Sequence, residues 1–532
     1  MEIRGKLPSR VVNNSNILPQ VEANLSTFDL SESLVTTIKP DYLYPVYWQE
    51  LQPNDHFEIN IASLARIMPM VAPTMSNIKM KFFAFWVPNR ILWNHWLNFM
   101  GEKTFQGDKT EYTVPQLKMN DTTNVTGGIA DYLGVPPTET NIDYSVSAFP
   151  FRAYNKIWNE WFRANMIQEE VKEYSGDTDE KEKLSEYKLL KKGKPLDYFT
   201  SCLPQPLQVD ISIAGGDEPV LTTDKVTMLN FKNQSVVNYR GIQANNALEN
   251  ENARQGTLVS VATKGKDTNL YVDMSQITGL SIESLRKAAS LQVLLEKDQR
   301  SGQRYIDLLH EHFGISVPDF LVGRSEFIGS CTTNINVEPV IQNSESATTP
   351  QGNLSSVGFG LENNKLCEFS AREHGHLMIL CSVESEVLYQ QGLDRKFSKL
   401  GRFDYYFPEF ANLGEQPVLE KEIMLTADTA NSLKVFGYTP RYRELREGYN
   451  KVSGLMRSNV TSGKQSLDVW HLAQKFDNVP KLNAEFIESK TPLERVLAVQ
   501  EDDSLILNCY FDVKATRSVP VQANPSILAG RV

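Results

Sequence analysis

The chain has 532 residues, 41% hydrophobic and 10% aromatic, enough for a sizeable core, and its 26 prolines and 30 glycines favour turns and loops over a long helical bundle. Its net charge of −11 argues against a general nucleic-acid coat, although a few lysines or arginines can still meet phosphates locally. Five scattered cysteines without CxxC or Cys/His spacing exclude a disulfide framework and a structural zinc site, and no run of about 18 apolar residues offers a membrane span.

Residues 1–27 are polar and aperiodic and carry Arg4, Lys6 and Arg10, the pattern of an extended arm that orders on another surface. No apolar stretch of the secretory kind follows Met1, so no export signal is expected. Short strands are expected at Leu34–Ile38 and Tyr42–Trp48, and His56–Ile61 alternates with Phe57, Ile59 and Ile61 on one face. The strongest strand is Asn77–Val87. It starts amphipathic and turns apolar on both faces from Phe82, so its far end should be covered on both sides. A short aromatic helix is expected over Arg90–Met100, with Gly101 as its stop, and residues 102–147 read as loop.

Ala148–Gln168 reads as a helix with Pro150 in its first turn. Tyr154, Ile157, Trp158, Trp161 and Phe162 fall at i, i+3, i+4, i+7 and i+8, which makes one broad aromatic face. Arg152, Asn155, Lys156, Asn159, Glu160 and Arg163 fill the opposite side, so the helix should be a packing device. Glu169–Lys194 is dense in nearly balanced charges and reads as a solvated helix or loop. Gln208–Leu280 is polar, with Gly-Gly and Asn-Asn turns, the composition of a long surface excursion with weak strands.

Helices are expected at Ile282–Lys297, capped by Ser281, and at Gly302–Phe313; the first carries a stripe of Leu285, Ala288, Ala289, Gln292 and Leu295. From Cys331 the pattern is mostly β: Asn334–Ile341, Leu366–Phe369, Gly375–Val383, Ser385–Tyr389, Leu505–Val513 and Ala515–Val521. Strands this far apart, joined by long loops, point to an antiparallel sandwich.

Reactive constellations are scarce. His310 and His312 cannot share a helix face, whereas His374 and His376 can share a strand face but lack a third ligand. Lys264-Gly-Lys266 and Gly358-Phe-Gly360 each lack residues that a phosphate-binding loop needs. No nucleophile elbow or HExxH spacing occurs, so no enzyme, metal or cofactor is expected. Tyr438–Tyr449 interleaves Arg441, Arg443 and Arg446 with Tyr438, Tyr442 and Tyr449, which suits single-stranded nucleic acid or, better, a subunit interface.

Several segments carry a resemblance. Phe149-Pro-Phe-Arg-Ala-Tyr-Asn-Lys-Ile-Trp-Asn-Glu-Trp-Phe-Arg163, Trp86-Val-Pro-Asn-Arg-Ile-Leu-Trp93 and Asp197-Tyr-Phe-Thr-Ser-Cys-Leu-Pro-Gln-Pro206 resemble the major capsid protein of microviruses, small tailless single-stranded-DNA phages. His312-Phe-Gly-Ile-Ser-Val-Pro-Asp319, Leu388-Tyr-Gln-Gln-Gly-Leu-Asp-Arg395, Phe407–Gln416 and Gly437–Glu444 continue it in order, closest to the gokushovirus-like branch. Leu207 departs from the third segment's usual continuation, Glu169–Lys194 is expanded relative to the family pattern, and Gln208–Leu280 matches no pattern of the family.

The resemblance implies a mainly β fold: one eight-stranded antiparallel jelly roll with long inserted loops and several short helices, spanning 28–532 behind the arm. It implies a homo-oligomeric T=1 icosahedral shell around circular single-stranded DNA, assembled in the bacterial host cytoplasm. It further implies a small basic companion protein on the DNA, and a threefold protrusion, here 208–280, that meets a host receptor. Arg4, Lys6 and Arg10 would then face the DNA. Tyr154, Ile157, Trp158, Trp161, Phe162, Arg441, Tyr442 and Arg443 would anchor packing or interfaces. A stand-alone cell-surface or carbohydrate-binding β-sandwich is the competing expectation, and it requires the aromatic helix to be partly exposed.

Overall fold

The computed structural model describes residues 25–119, 125–137, 144–177, 182–206, 282–302, 304–348, 351–411, 414–428, 433–460, 464–499 and 503–521, together with five short strands between 220 and 272. Its contacts divide the chain into two compact units, Met1–Pro206 with Arg304–Val532, and Leu207–Gln303.

The first unit is built on one antiparallel sheet of β1 (Ser26–Asp29), β2 (Glu32–Ile38), β3 (Tyr44–Leu51), β4 (His56–Met70), β5 (Ile78–Pro88), β6 (Glu326–Ile341), β7 (Leu354–Ser370), β8 (Gly375–Ser385) and β9 (Leu505–Arg517). The order is β1-β9-β4-β7-β6-β5-β8-β3, and β2 continues along the same side of β9 as β1. Strands remote in that order still touch: the Tyr47 ring of β3 lies 5.1 Å from Phe511 of β9, and Trp86 of β5 lies 5.2 Å from Phe369 of β7. The sheet therefore curls until its inner faces meet. Alternation supplies the core, with Phe57, Ile59 and Ile61 from β4, Met80, Phe82 and Trp86 from β5, and Leu507, Cys509 and Phe511 from β9, all buried. Register shifts at Phe327/Gly329, Lys365/Cys367 and Ile379/Leu380 bend the strands as the curl requires. Gly375 opens β8 where the backbones are closest, since a Cβ there would sit 2.6 Å from the Val87 carbonyl oxygen.

The expected double covering of β5 is present. Ile78, Met80, Phe82 and Trp86 face the curled core, while Phe85 and Val87 face a second cluster outside the sheet with Met378 and Leu380 of β8. That outer cluster is supplied by α1 (Phe149–Ile157), the short helices Asn89–Leu92 and Trp96–Phe99, and the two-stranded ribbon of Gln116–Met119 with Tyr144–Ser147. A third apolar cluster gathers Tyr198, Phe199, Tyr389, Phe436 and Phe486.

Several local expectations change. The helix over Arg90–Met100 is two turns, broken where Trp93 leaves the helical region. The expected loop 102–147 holds the ribbon and a short helix, Ile129–Tyr132. Leu366–Phe369 is only the end of the 17-residue β7, and Leu505–Val513 with Ala515–Val521 is one continuous strand to Arg517, because all of it pairs with β4, β2 or β1. β8 ends at Ser385, so Ser385–Tyr389 is not a strand. The Gly302–Phe313 helix begins at Tyr305.

Among its described residues, Glu169–Lys194 is solvated only in part. Leu184 and Tyr187 are buried, and Glu182 lies 7% exposed beneath α1. Charge density there misleads because specific carboxylates and ammonium groups find partners inside the fold.

The second unit, taken by itself, has a three-stranded sheet in the order Ser235–Tyr239, Val226–Asn230, Val259–Ser260, a pair Val220–Thr222 with Leu270–Val272, and α2 (Ile282–Ser301). Weak strands were expected in this stretch. Leu285 of the α2 stripe is exposed, and Ala288, Gln292 and Leu295 are half-buried. Ser281 lies outside the described residues. In the first unit the following helix is α3 (Tyr305–Phe313), with Gly314 in the left-handed conformation that ends it.

Candidate functional site

The α1 helix forms because Pro150 enters its first turn and good aromatic spacing follows. Tyr154 and Ile157 are fully buried and Trp158 is 6% exposed. Their polar tips are also satisfied. The Tyr154 hydroxyl donates to the Leu43 carbonyl at 2.8 Å and accepts from the Leu190 N–H at 2.9 Å, and Trp158 Nε1 donates to the Lys191 carbonyl at 2.9 Å. Burial pushes the Tyr154 phenol well above its ordinary range.

Beyond Ile157 the helix widens into one π turn over Trp158–Phe162, closed by Arg163 N–H to the Trp158 carbonyl at 3.0 Å. Expecting a regular helix to Gln168 is therefore wrong, and the cause is tertiary. Arg304 Nη2 donates to the Asn159 carbonyl at 2.7 Å and Arg324 Nη2 to the Glu160 carbonyl at 2.9 Å, taking the acceptors that another turn would use. Glu160 in turn accepts from the Ser325 N–H at 2.8 Å. Trp161 and Phe162 are half-buried at this end. The Trp161 ring lies between the Arg324 guanidinium, 3.9 Å from its centroid, and Phe85 and Phe327; Phe162 meets Phe83 and Phe85 edge-on.

The polar side of α1 also differs from expectation. Arg152 is 3% exposed, because the charged stretch folds back and brings Glu182 to it. Arg152 Nε and Nη2 reach Glu182 at 2.9 and 2.5 Å, Nη1 donates to the Leu92 carbonyl at 3.0 Å, and the Tyr187 hydroxyl donates to Glu182 at 2.7 Å. Asn155 and Asn159 are buried as well, and Asn159 bonds the Val171 backbone in both directions.

Arg441, Tyr442 and Arg443 are brought together, but mostly by contacts within the chain. Tyr442 is 5% exposed, holds a positive φ of 61°, and donates its hydroxyl to the Tyr405 carbonyl at 3.3 Å. Arg443 is paired with Glu447 at 2.7 Å. Arg441 stacks over Phe410 and Tyr442, about 5.5 Å from each ring centre. Arg4, Lys6 and Arg10 lie outside the described residues. His376 is fully buried between Trp48 and Phe149, with ring nitrogens that meet no partner, and burial alone holds its pKa down to about 4. Among the described residues no group of three or more His, Cys, Asp or Glu could hold a metal.

Two clusters escaped the sequence reading. Arg395–Tyr406 exposes Phe397, Leu400, Phe403, Tyr405 and Tyr406 among four cations, a basic-aromatic interleaving visible in the sequence. Lys194, Lys475, Lys481 and Lys490 share a cavity although nearly 300 residues separate the first from the others. No local signal joins those.

The outer face of the sheet is thus built for packing, with its polar groups spent on holding segments together. The chain belongs to the capsid protein (F protein) family, which it matches over residues 16–527. It is 35% identical to capsid protein VP1 of Chlamydia phage 1, covering 98% of this chain and 99% of the relative. It is 34% identical to capsid protein VP1 of Bdellovibrio phage phiMH2K, covering 96% of each, and 31% identical to that of Spiroplasma virus 4, covering 98% of each. The microvirus resemblance holds over nearly the whole chain, and the curled antiparallel sheet is its jelly-roll-type core. As a capsid protein it is a structural component of the virion and a subunit of an oligomeric shell. Among the described residues no helix is long and apolar enough to cross a membrane.

Proposed function

We propose that this chain is the major subunit of a T=1 icosahedral shell around circular single-stranded DNA, assembled in the bacterial host cytoplasm. The observation that carries this reading is a capsid-family match over residues 16–527 that includes the entire described sheet. The insertion of Leu207–Gln303 between β5 and β6 as a separate compact unit supports its use as a surface protrusion for a host receptor, with 208–280 as the protruding part. The −11 net charge favours a division of labour in which a small basic companion protein carries much of the DNA neutralisation. Arg4, Lys6 and Arg10 on the arm contribute the chain's own inward-facing charge.

Electron microscopy of the expressed protein tests the shell; a chain that stays monomeric under all conditions, with no particles in producing cells, overturns it. Deleting Val209–Thr278 should leave particles intact and abolish adsorption to the host. Failed assembly with normal attachment in rescued particles would make the insert structural instead. The carbohydrate-binding alternative needs an accessible aromatic face; Tyr154, Ile157 and Trp158 are buried, and the half-buried Trp161 and Phe162 are engaged by Arg324, Phe327, Phe83 and Phe85.

A further inference from the structure

A cavity of about 460 Å³ opens between Lys194, the segment Gln474–Lys481, the turn Asn483–Phe486 and Lys490. That volume suits a small organic ligand or one nucleotide unit. Lys194 lines it and is 8% exposed. Its ammonium donates to the Phe486 carbonyl at 2.5 Å and lies 4.3 Å from the centre of the Phe486 ring. No carboxylate comes within ion-pair distance of it among the described residues, although Asp197 and Asp41 act on it from farther away and Lys490 opposes them. Burial holds its pKa down to about 8.

Lys475, Lys481 and Lys490 stand exposed around the mouth. Lys475 is 3.7 Å from Asp477, while Lys481 and Lys490 have no ion-pair partner among the described residues. With Asp477 and Glu485 as the lining carboxylates, four ammonium groups face two, a local excess of positive charge on a chain of net −11. The wall between them is aromatic: the half-buried Phe476 ring lies 6.2 Å from that of Phe486. A buried cation without a carboxylate calls for an anion. An aromatic wall beside it adds a stacking surface that a carboxylate-bearing peptide would leave unused.

We propose that this pocket binds single-stranded DNA through one nucleotide unit, with the lysines holding phosphate oxygens and the base lying against Phe476. The assignment rests on the reading of the chain as a single-stranded-DNA capsid subunit.

The test uses the full chain and a fluorescein-labelled dT12 oligonucleotide, with deoxythymidine monophosphate and inorganic phosphate as competitors. Lys475→Gln/Lys481→Gln/Lys490→Gln changes only exposed side chains. It should weaken dT12 binding at least tenfold at low salt and flatten the slope of log K against log salt by about 0.7–1.4, at ~0.7 for each of the one or two phosphates flanking the bound unit. Phe476→Leu should cost about five- to a hundredfold while leaving that slope unchanged. Unchanged affinity and slope in the triple variant overturns the proposal. So does competition by the monophosphate or phosphate at concentrations equivalent to dT12, which marks a site for a free anion. Loss of particles with dT12 binding intact would make the pocket a contact between subunits and also overturns it. Particle formation by the unaltered chain is scored separately by electron microscopy, so failure of the pocket and failure of the capsid reading are told apart.

Discussion

Glu182→Gln tests how the charged stretch is held against α1. Both Arg152 and Glu182 side chains are 1% exposed, so the substitution leaves a guanidinium in the interior with no counter-charge and weakens the two bonds it makes to the carboxylate. Breaking one side of a buried pair costs about 3–5 kcal/mol, most of it from the charge left behind. At about 2.1 cal/mol/K of unfolding entropy per residue, that loss lowers the midpoint of a cooperative unit of this size by about 3–5 °C. Near-ultraviolet circular dichroism reads it directly, since Trp93, Phe149 and Tyr187 all belong to the cluster around the pair. The double variant Arg152→Met/Glu182→Leu removes both charges and should recover much of the loss. A Glu182→Gln protein that melts with the unaltered chain, or a double variant worse than the two single changes combined, would refute the claim that charge pairing pins this stretch.

How far these features can be read from sequence depends on the range of the forces that make them. β5 is legible because strict alternation of Ile78, Met80, Phe82, Ala84 and Trp86 dictates one face, and the apolar Phe83 and Phe85 announce cover on the other. α1 is legible as far as Ile157 for the same local reason. Its π turn is not, because the arginines that take the Asn159 and Glu160 carbonyls come from positions 304 and 324.

Helical spacing places Arg152 opposite the aromatic face, and it cannot foresee that Glu182 returns 30 residues later to neutralise it. The same limit hides the lysine pocket, since Lys194 and Lys490 look like ordinary surface charges until the fold brings them together. Tyr442 shows the limit from the other side. Its place in an Arg/Tyr string suggested an exposed interface, yet the left-handed turn it adopts turns the ring inward against Tyr406. Family resemblance, by contrast, carries the sheet as a whole, because the matching segments lie on both sides of the insert.

Two further outcomes follow from the outer cluster. Trp158→Ala should cost about 3–5 kcal/mol, since it empties a site only 6% exposed and strands the Lys191 carbonyl; Trp158→Phe, which keeps most of the ring volume, should cost clearly less, and near-normal thermal stability of the alanine variant would show that the face is not an anchor. His376 makes stability pH-dependent with a definite sign. Buried between Trp48 and Phe149 without a hydrogen bond, it stays neutral in the folded chain down to about pH 4, whereas the unfolded chain takes up the proton near pH 6.5. The unfolded state therefore binds more protons between those values, so stability is full above pH 6.5 and falls by about 3 kcal/mol as the pH drops towards 4. In His376→Leu that component should vanish, leaving a shallower acid limb in urea unfolding measured from pH 7 to pH 4. Parallel acid limbs in the two proteins would mean that the imidazole is reached by water or a partner in solution, and that the aromatic layer over β8 is not closed.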